Sequence, residues 1–310
     1  MADLKLKDLR YLVAVADTGH FGRAAERCFV SQPTLSAQLK KLESYLAVQL
    51  IERQPKRATL TEAGAAIVAR SREMLRASEE VLELARSHRD PLAGRLRVGF
   101  IPTVGPYLLP QIAPAARKAL PRLTLLLYEY RTEPLLERLR AGELDLGILA
   151  LPVETDGLQV RELFDEPFLV ALPHDHPLAR RASLGVDDLA EEPLLLLEEG
   201  HCLRDQALAV CNRAGAQERQ DFRATSLETL RQMVASGAGI TLLPQLACRA
   251  QLGARTAPGA GGAGDIVIKP FTKPVPIRRV GALWRTSTAR RPAIEALCNL
   301  TVQQLKRSRA

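Results

Sequence analysis

The feature of this chain that most constrains its fold is an alternation of strand-like and helix-like segments after Gly94. Apolar runs of strand length take turns with longer segments whose apolar residues recur at helical spacing. The pattern predicts strands at 96–100, 123–130 and 144–149, and helices at 107–120 and 133–141. Such alternation is typical of an open α/β sheet, which binds ligands at the carboxyl ends of its strands. Thr103 and Thr132 lie at two such ends, and the alternative for both is a helix N-cap.

A second unit of the same kind is predicted downstream, and the chain runs between the two units twice. It crosses near residue 163 and returns through a proline-rich segment toward a last strand at 280–284. Two crossings leave a hinge and a cleft, where a small polar ligand would bind. The expected limits are 91–310 for the whole region, about 94–162 with 270–304 for subdomain I, about 163–269 for subdomain II, and 257–264 for a Gly/Ala-rich surface loop.

The first sixty residues predict short helices joined by a tight turn. Helices fit 4–16 and 21–28, and a third follows Ser31, a good N-cap, with Pro33 tolerated in its first turn. Two short helices, the second polar on its free face, are typical of a DNA-binding helix-turn-helix, here Phe21 to Lys40. An ordinary amphipathic helix pair is the alternative. The residues expected to face DNA are Ser31, Gln32, Pro33, Thr34, Ser36, Gln38 and Lys40.

Composition and charge narrow the class of protein. The 310 residues carry a net charge of +8, and residues 1–60 hold ten Lys or Arg against six Asp or Glu, which favours a polyanionic partner. No apolar run approaches the roughly 20 residues of a membrane span, and the charged N-terminus has no signal-peptide core, so we expect a cytoplasmic protein. The five cysteines and five histidines show no metal-ligand spacing, so we expect no zinc.

A long helix is predicted between the two regions. Residues 59–62 read as a capping box that opens a helix running to about Arg89. Its apolar residues recur every seven positions, as is typical of a helix that packs against a partner helix, although packing on its own chain is the alternative. The repeat is Leu60, Ile67, Met74 and Val81. We therefore expect a DNA-binding domain at 1–61 and a linker helix at 62–90.

Two cysteines, Cys202 and Cys211, lie nine residues apart in a segment with helical periodicity. A helix would hold them about 13 Å apart along its axis and on opposite faces. A disulfide needs Cα atoms within about 7 Å, so bridging would require the helix to unwind. His201, Arg204 and a helix N-terminus flank Cys202, and such groups lower a thiol pKa. The alternative is two unrelated buried cysteines.

Residues 1–64 resemble the winged helix-turn-helix of LysR-type transcriptional regulators. The matching residues are Phe21, Ala24–Ala25, Ser31–Ser36, Gln38–Leu39, Leu42–Glu43, Leu50, Arg53 and Leu60–Gly64. The resemblance implies a wing between Gln49 and Leu60 with Arg53 near phosphates. It also implies antiparallel pairing of the linker helix, a homodimer or homotetramer, and promoter DNA and RNA polymerase as partners. The rest of the chain would form a two-subdomain α/β regulatory domain like that of periplasmic binding proteins.

Within this family the chain is most similar to members that sense hydrogen peroxide and activate transcription. The matching segments are Gly99–Pro110, Thr132, Leu136, Leu139, Gly142–Asp145 and Glu198–Ala207 with Cys211. The resemblance implies that Cys202 attacks peroxide and Cys211 resolves the product, with a glutaredoxin or thioredoxin as reductant and no cofactor. It also implies a peroxide site of Thr103, Thr132, His201, Arg204 and Asp205. Either Arg278 or Arg279 is a further candidate.

Two other functions remain open at this point. A LysR-type regulator could answer a small organic effector in the cleft, with the cysteines incidental. A catalytic thiol peroxidase is the second alternative, but a DNA-binding module of some sixty residues has no place in such an enzyme.

Overall fold

The computed structural model describes residues 4–54, 57–190, 192–211, 217–252 and 266–307. The chain divides into an N-terminal unit, Met1–His88, and a C-terminal unit, Arg89–Ala310. The predicted loop at 257–264 lies outside the described residues. In the part of the chain that is described, no helix has the length and apolar character that crossing a membrane requires.

The N-terminal unit is a winged helix-turn-helix followed by a long helix. Its elements are α1 Leu6–Thr18, α2 Phe21–Arg27, α3 Gln32–Leu46, β1 Ile51–Gln54, β2 Arg57–Leu60 and α4 Glu62–Arg89. As predicted, Ser31 caps α3, and its Oγ accepts a hydrogen bond from the Thr34 amide at 3.3 Å. The predicted apolar stripe of α3 is buried in the core of this unit. Strands β1 and β2 pair antiparallel and form the wing.

Helix α4 begins later than the predicted capping box, and the second half of its apolar stripe is exposed. Thr61 caps α4, because its Oγ1 accepts from the Gly64 amide at 2.9 Å. The predicted capping box was therefore misplaced, since Thr59 belongs to β2. Val68 packs into the core of the N-terminal unit, but Met74 is 45% exposed and Val81 68% exposed. The second half of the heptad stripe is thus open along a single chain.

The C-terminal unit alternates strands and helices as predicted. Its elements are β3 Gly94–Phe100, α5 Gly105–Ala119, β4 Leu123–Glu129, α6 Thr132–Arg140, β5 Leu146–Leu151, β6 Leu158–Pro173, β7 Pro193–Leu197, α7 Cys202–Cys211, β8 Gln217–Ala224, α8 Leu227–Ala235, β9 Thr241–Pro244, α9 Gln245–Leu252, β10 Ile266–Pro270, β11 Ile277–Arg285 and α10 Arg291–Arg307. Strand β3 pairs parallel with β4 and β5, whereas β11 pairs antiparallel with β5 and β6.

Two hydrophobic cores share one long strand. In the main sheet the strand order is β10-β6-β11-β5-β3-β4, with β9 also on β6, while β7 and β8 pair separately. The first half of β6 pairs with β11, and its second half pairs with β9 and β10. One core surrounds β3, β5 and α5, and the other surrounds β7, β9 and α8. Strand β6 therefore passes from one core into the other, and β11 pairs with its first half.

The third predicted strand begins two residues later than expected. It was predicted at 144–149, but β5 spans Leu146–Leu151. The reason is Asp145, whose carboxylate accepts from the backbone N–H of Arg97 at 2.8 Å and from its guanidinium at 2.9 and 3.1 Å. Leu144 and Asp145 thus anchor the approach to the strand.

Candidate functional site

Helix α7 spans Cys202–Cys211 in the described residues and contains both cysteines. The helix predicted for this segment is therefore confirmed, and its geometry holds the two thiols about 13 Å apart along the axis. Cys202 is half-buried against the core around β3 and β5, whereas Cys211 is fully buried in the core around β7 and β9. Because the thiols sit in different cores at opposite ends of one helix, a bond between them requires α7 to unwind.

Three groups around the Cys202 thiol favour its ionised form. They are the positive charge of Arg278, the hydroxyl of Thr132 and a backbone hydrogen bond with Ala150. Burial acts in the opposite direction and is the largest influence, so the pKa of Cys202 is raised. At Cys211 burial acts without such opposition and raises the pKa to about 12. Cys202 is therefore the more easily ionised of the two.

The prediction that His201 and Arg204 give Cys202 a low pKa was wrong, because burial raises that pKa. Burial and the charge of Arg131 lower the pKa of His201, so its imidazole is neutral at neutral pH. Arg204 is buried in the first turn of α7 and is not among the groups that shift the Cys202 pKa. Asp205 is exposed, and its negative charge raises that pKa. The cation among the groups that act on the Cys202 pKa is therefore Arg278 and not a sequence neighbour.

Arg278 supplies the positive charge that favours the Cys202 thiolate, and it lies on β11 in the C-terminal unit. Its side chain is fully buried and donates from Nε to Glu166 Oε2 at 2.8 Å and from Nη1 to Thr103 Oγ1 at 3.0 Å. Arg278 on β11 lies directly opposite Glu166 on β6, and Glu166 also accepts from the Leu246 amide at 2.7 Å. Arg279 instead points outward to Asp165 and Glu162, so Arg278 is the arginine at the site.

Neither candidate threonine is a helix cap. The N-cap residues of α5 and α6 are Val104 and Arg131, and neither cap involves a side chain. Thr103 Oγ1 accepts from Arg278. Thr132 is the first residue of α6, and its buried Oγ1 has no well-formed hydrogen bond although it lies beside Cys202 and lowers the thiol pKa. The Thr132 hydroxyl thus lies at the thiol, and the Thr103 hydroxyl lies at Arg278, the cation that acts on it.

A cavity of about 310 Å³ opens beside this cluster. Polar groups in its wall come from both sides of the cleft, and the Nε2 atom of His201 is buried without a hydrogen-bond partner. Burial raises the pKa of Glu129 in the same wall. The polar lining residues are Thr103, Tyr107, Glu129, Arg131, His201, Thr225, Ser226 and Glu228. The cavity can hold a small polar molecule against Thr103 and His201, and Cys202 is not among the residues that line it.

Burial also shifts the pKa values of the other three cysteines. Burial raises the pKa of both Cys248 and Cys298 to about 12, and it also raises that of Cys28. Over the described ranges, no group of three or more His, Cys, Asp or Glu is arranged to hold a metal ion.

The start of α3 forms an exposed polar surface. Ser31, Gln32, Pro33, Thr34 and Lys40 are exposed, and Ser36 and Gln38 are half-buried. This is the arrangement expected for a helix whose first turns contact base edges. Arg53 lies in β1, but its side chain is outside the described residues.

One member of the buried cluster was missed by the sequence reasoning. Glu166 lies within β6, between Asp165 and Pro167 in a strand whose second half is otherwise apolar. A carboxylate buried in an apolar strand needs a cation or hydrogen bonds. The position of Glu166 in such a strand was therefore a sequence signal for a buried ion pair.

Comparisons with known proteins agree with this geometry. Residues 6–65 match the bacterial regulatory helix-turn-helix proteins of the lysR family, and residues 89–306 match the LysR substrate binding domain. The DNA-binding transcriptional dual regulator OxyR of Escherichia coli K12 is 46% identical over 294 residues, 95% of this chain and 93% of that protein. The hydrogen peroxide-inducible genes activator of Dickeya chrysanthemi is 45% identical over 296 residues, 96% and 94% of the two chains.

A solved structure is similar over nearly the whole length. Full-length OxyR from Pseudomonas aeruginosa, in a cysteine-to-aspartate variant, superposes with a TM-score of 0.72 at 41% identity and covers 97% of this chain and 98% of that one. The matches span both units and confirm the predicted fold class. The chain belongs to the LysR family of bacterial helix-turn-helix regulators, and within that family its relatives are OxyR proteins.

Proposed function

We propose that this protein is a transcriptional activator of oxidative-stress genes that responds to hydrogen peroxide through a Cys202–Cys211 switch. The observation that carries the proposal is that α7 holds both cysteines, nine residues apart on one helix, with each thiol packed in a different core. The names of the relatives supply the oxidant, since several are hydrogen peroxide-inducible genes activators.

The first step is attack of the Cys202 thiolate on one peroxide oxygen. The S–O bond forms as the O–O bond breaks, sulfur loses two electrons, and the departing oxygen takes up a proton and leaves as water. Arg278 stabilises both the thiolate and the charge that develops on the departing oxygen. Thr103 and Thr132 orient the peroxide, and the unpaired Nε2 of His201 offers a further hydrogen bond.

Arg204 and Asp205, which were expected to activate peroxide, are not assigned that role in this proposal. Arg204 and Asp205 lie in the first turn of α7, and the charge of Asp205 opposes ionisation of the thiol. We assign the activating charge to Arg278 instead. Because burial raises the Cys202 pKa, the thiolate is the minor form at neutral pH, and the rate of attack rises with pH.

The second step joins the two cysteines. The Cys211 thiol attacks the sulfur of the Cys202 sulfenic acid, which releases water and leaves a disulfide. The bond needs Cα atoms within about 7 Å, so α7 must unwind and Cys211 must leave its core. A change from helix to disulfide loop is a two-state element that can reposition the DNA-binding units of an oligomer.

The remaining partners follow from the N-terminal unit. The exposed start of α3, with Arg53 in the wing, would bind double-stranded promoter DNA in the cytoplasm, where RNA polymerase is recruited. The open stripe at Met74 and Val81 would pair with α4 of a second copy, giving a dimer or tetramer. A glutaredoxin or thioredoxin would reset the switch by thiol–disulfide exchange. The Cys202–Cys211 bond is reduced to two thiols, and the two thiols of the reductant are oxidised to a disulfide.

Non-reducing peptide mapping tests the assignment of the cysteines. Peroxide should link Cys202 to Cys211 in the wild-type protein. Cys211→Ser should stop at a sulfenic acid or mixed disulfide, whereas Cys202→Ser should not respond, and Cys298→Ser should behave as wild type. A peroxide response that survives Cys202→Ser would contradict the proposal.

The cavity of about 310 Å³ favours a second candidate, a regulator that answers a small organic effector. In that case the variant with serine at both Cys202 and Cys211 would still respond to the effector. Under the peroxide proposal the same variant would no longer activate transcription in response to peroxide.

A further inference from the structure

The turn between α2 and α3 places two unfavourable features on one residue, Phe29. Its side chain is 96% exposed, the highest value among the large apolar residues described. Its backbone is left-handed, with φ at +55°. Glycine and asparagine adopt that conformation readily, whereas a residue with a bulky side chain does not. Phenylalanine is therefore a poor choice here for the stability of the folded unit.

The backbone conformation is fixed by the turn and not by the residue. The Phe29 N–H donates to the Glu26 carbonyl at 3.1 Å, and the Val30 N–H donates to the Ala25 carbonyl at 3.0 Å, which closes α2. Val30 then packs against the core of the N-terminal unit. These contacts keep the Phe29 ring outside. A strained residue that the fold does not need indicates a role in contacts with another molecule.

The ring lies next to the proposed DNA-binding surface. Ser31, two residues further on, caps α3, and the exposed surface continues through Gln32 and Thr34. In a helix-turn-helix the start of the second helix enters the major groove, and adjacent residues contact the sugar-phosphate backbone. Duplex DNA offers an aromatic ring two apolar groups there, the deoxyribose and the thymine methyl.

We propose that Phe29 is a DNA-contacting residue whose ring packs against a deoxyribose or thymine methyl beside the groove that α3 enters. The inference rests on the proposed DNA-binding function. The ring gains its burial only in the complex, and this gain offsets the exposure and strain that it brings to the free protein.

The test uses full-length protein and a duplex that the wild-type protein selects from random sequence. Phe29→Asn should keep or raise the melting temperature, because asparagine tolerates the left-handed backbone. Its affinity for the duplex should fall about tenfold, which is about 1.4 kcal/mol. The slope of affinity against salt should not change, since the ring neutralises no phosphate. The matched control is Ala47→Asn, at the other left-handed position in the described residues that is not a glycine (φ +51°), and it should preserve both stability and affinity.

Uracil in place of thymine separates the two sources of the contact. If the methyl group is the contact, uracil at one position weakens wild-type binding but not that of Phe29→Asn. If the deoxyribose is the contact, uracil affects neither protein. Equal affinities of wild type and Phe29→Asn, or a lower melting temperature for Phe29→Asn, would overturn the inference while DNA binding stands. Failure of the wild type to select any duplex would overturn the proposed function as well.

Discussion

Replacing Thr132 with valine should separate the stability of the C-terminal unit from its reactivity. Valine keeps the branched shape of threonine but lacks the hydroxyl. The Thr132 Oγ1 atom is buried, and the Cys202 thiol beside it is a weak hydrogen-bond partner, so valine removes little stabilisation from the reduced protein. The free energy of unfolding of the reduced protein should therefore stay unchanged or rise by about 1 kcal/mol, measured by urea denaturation.

The same substitution should slow the reaction with peroxide. A hydrogen bond to a charged group contributes about 1.5–3 kcal/mol, and its loss in the transition state corresponds to a rate reduction of roughly 10- to 150-fold. The assay is the second-order rate constant for loss of the Cys202 thiol, followed by stopped-flow mixing with hydrogen peroxide.

Thr103→Val is the matched control, because the Thr103 hydroxyl accepts a hydrogen bond from Arg278 at 3.0 Å. Valine leaves a buried guanidinium N–H unpaired, so this variant should lose about 1–3 kcal/mol of stability. If Thr132→Val loses as much stability as Thr103→Val, its hydroxyl has a strong partner and the reasoning fails. A wild-type peroxide rate in Thr132→Val would show that the hydroxyl does not assist the chemistry.

Three further predictions concern the cation beside Cys202, the buried Cys298 and the exposed stripe of α4. Alkylation of Cys202 should show a pKa above that of an unburied cysteine, and Arg278→Gln should raise it further while Arg279→Gln leaves it unchanged; equal effects of the two arginines would refute the assignment. Burial holds the Cys298 pKa at about 12 against 9.0 for a free thiol, so the protein should lose stability as pH rises from about 9 to 12. Cys298→Ala should make that loss smaller, and the part due to Cys211 and Cys248 should remain. Val81→Glu should dissociate the proposed oligomer in sedimentation experiments, because a carboxylate would enter the stripe proposed to pair with a second copy. An oligomer of unchanged mass would contradict the proposed pairing.

The helix-turn-helix could be predicted because its signals are local. The Ser31 cap, the tolerated Pro33 and the leucine stripe lie within one helix, and the structure confirms all three. The helix between Cys202 and Cys211 could be predicted for the same reason, since its periodicity and its two cysteines belong to ten consecutive residues.

The electrostatics of the candidate site could not be predicted in this way. The cation beside Cys202 comes from Arg278 on β11, and Glu166 on β6 holds it, so both depend on the pairing of strands distant in sequence. Burial also reverses the expected shift of the Cys202 pKa and neutralises His201, and neither effect can be read from neighbours along the chain. Local patterns predict the helices and strands, but the ionisation of Cys202 and His201 depends on tertiary packing.

Amide hydrogen exchange of α7, combined with non-reducing peptide mapping, tests the central claim most directly. The claim is that the helix and the Cys202–Cys211 disulfide exclude each other, because the helix spans about 13 Å and the bond permits about 7 Å between Cα atoms. After peroxide treatment the account predicts the disulfide together with loss of amide protection throughout Leu203–Val210. A Cys202–Cys211 disulfide formed with the protection of α7 unchanged would contradict it.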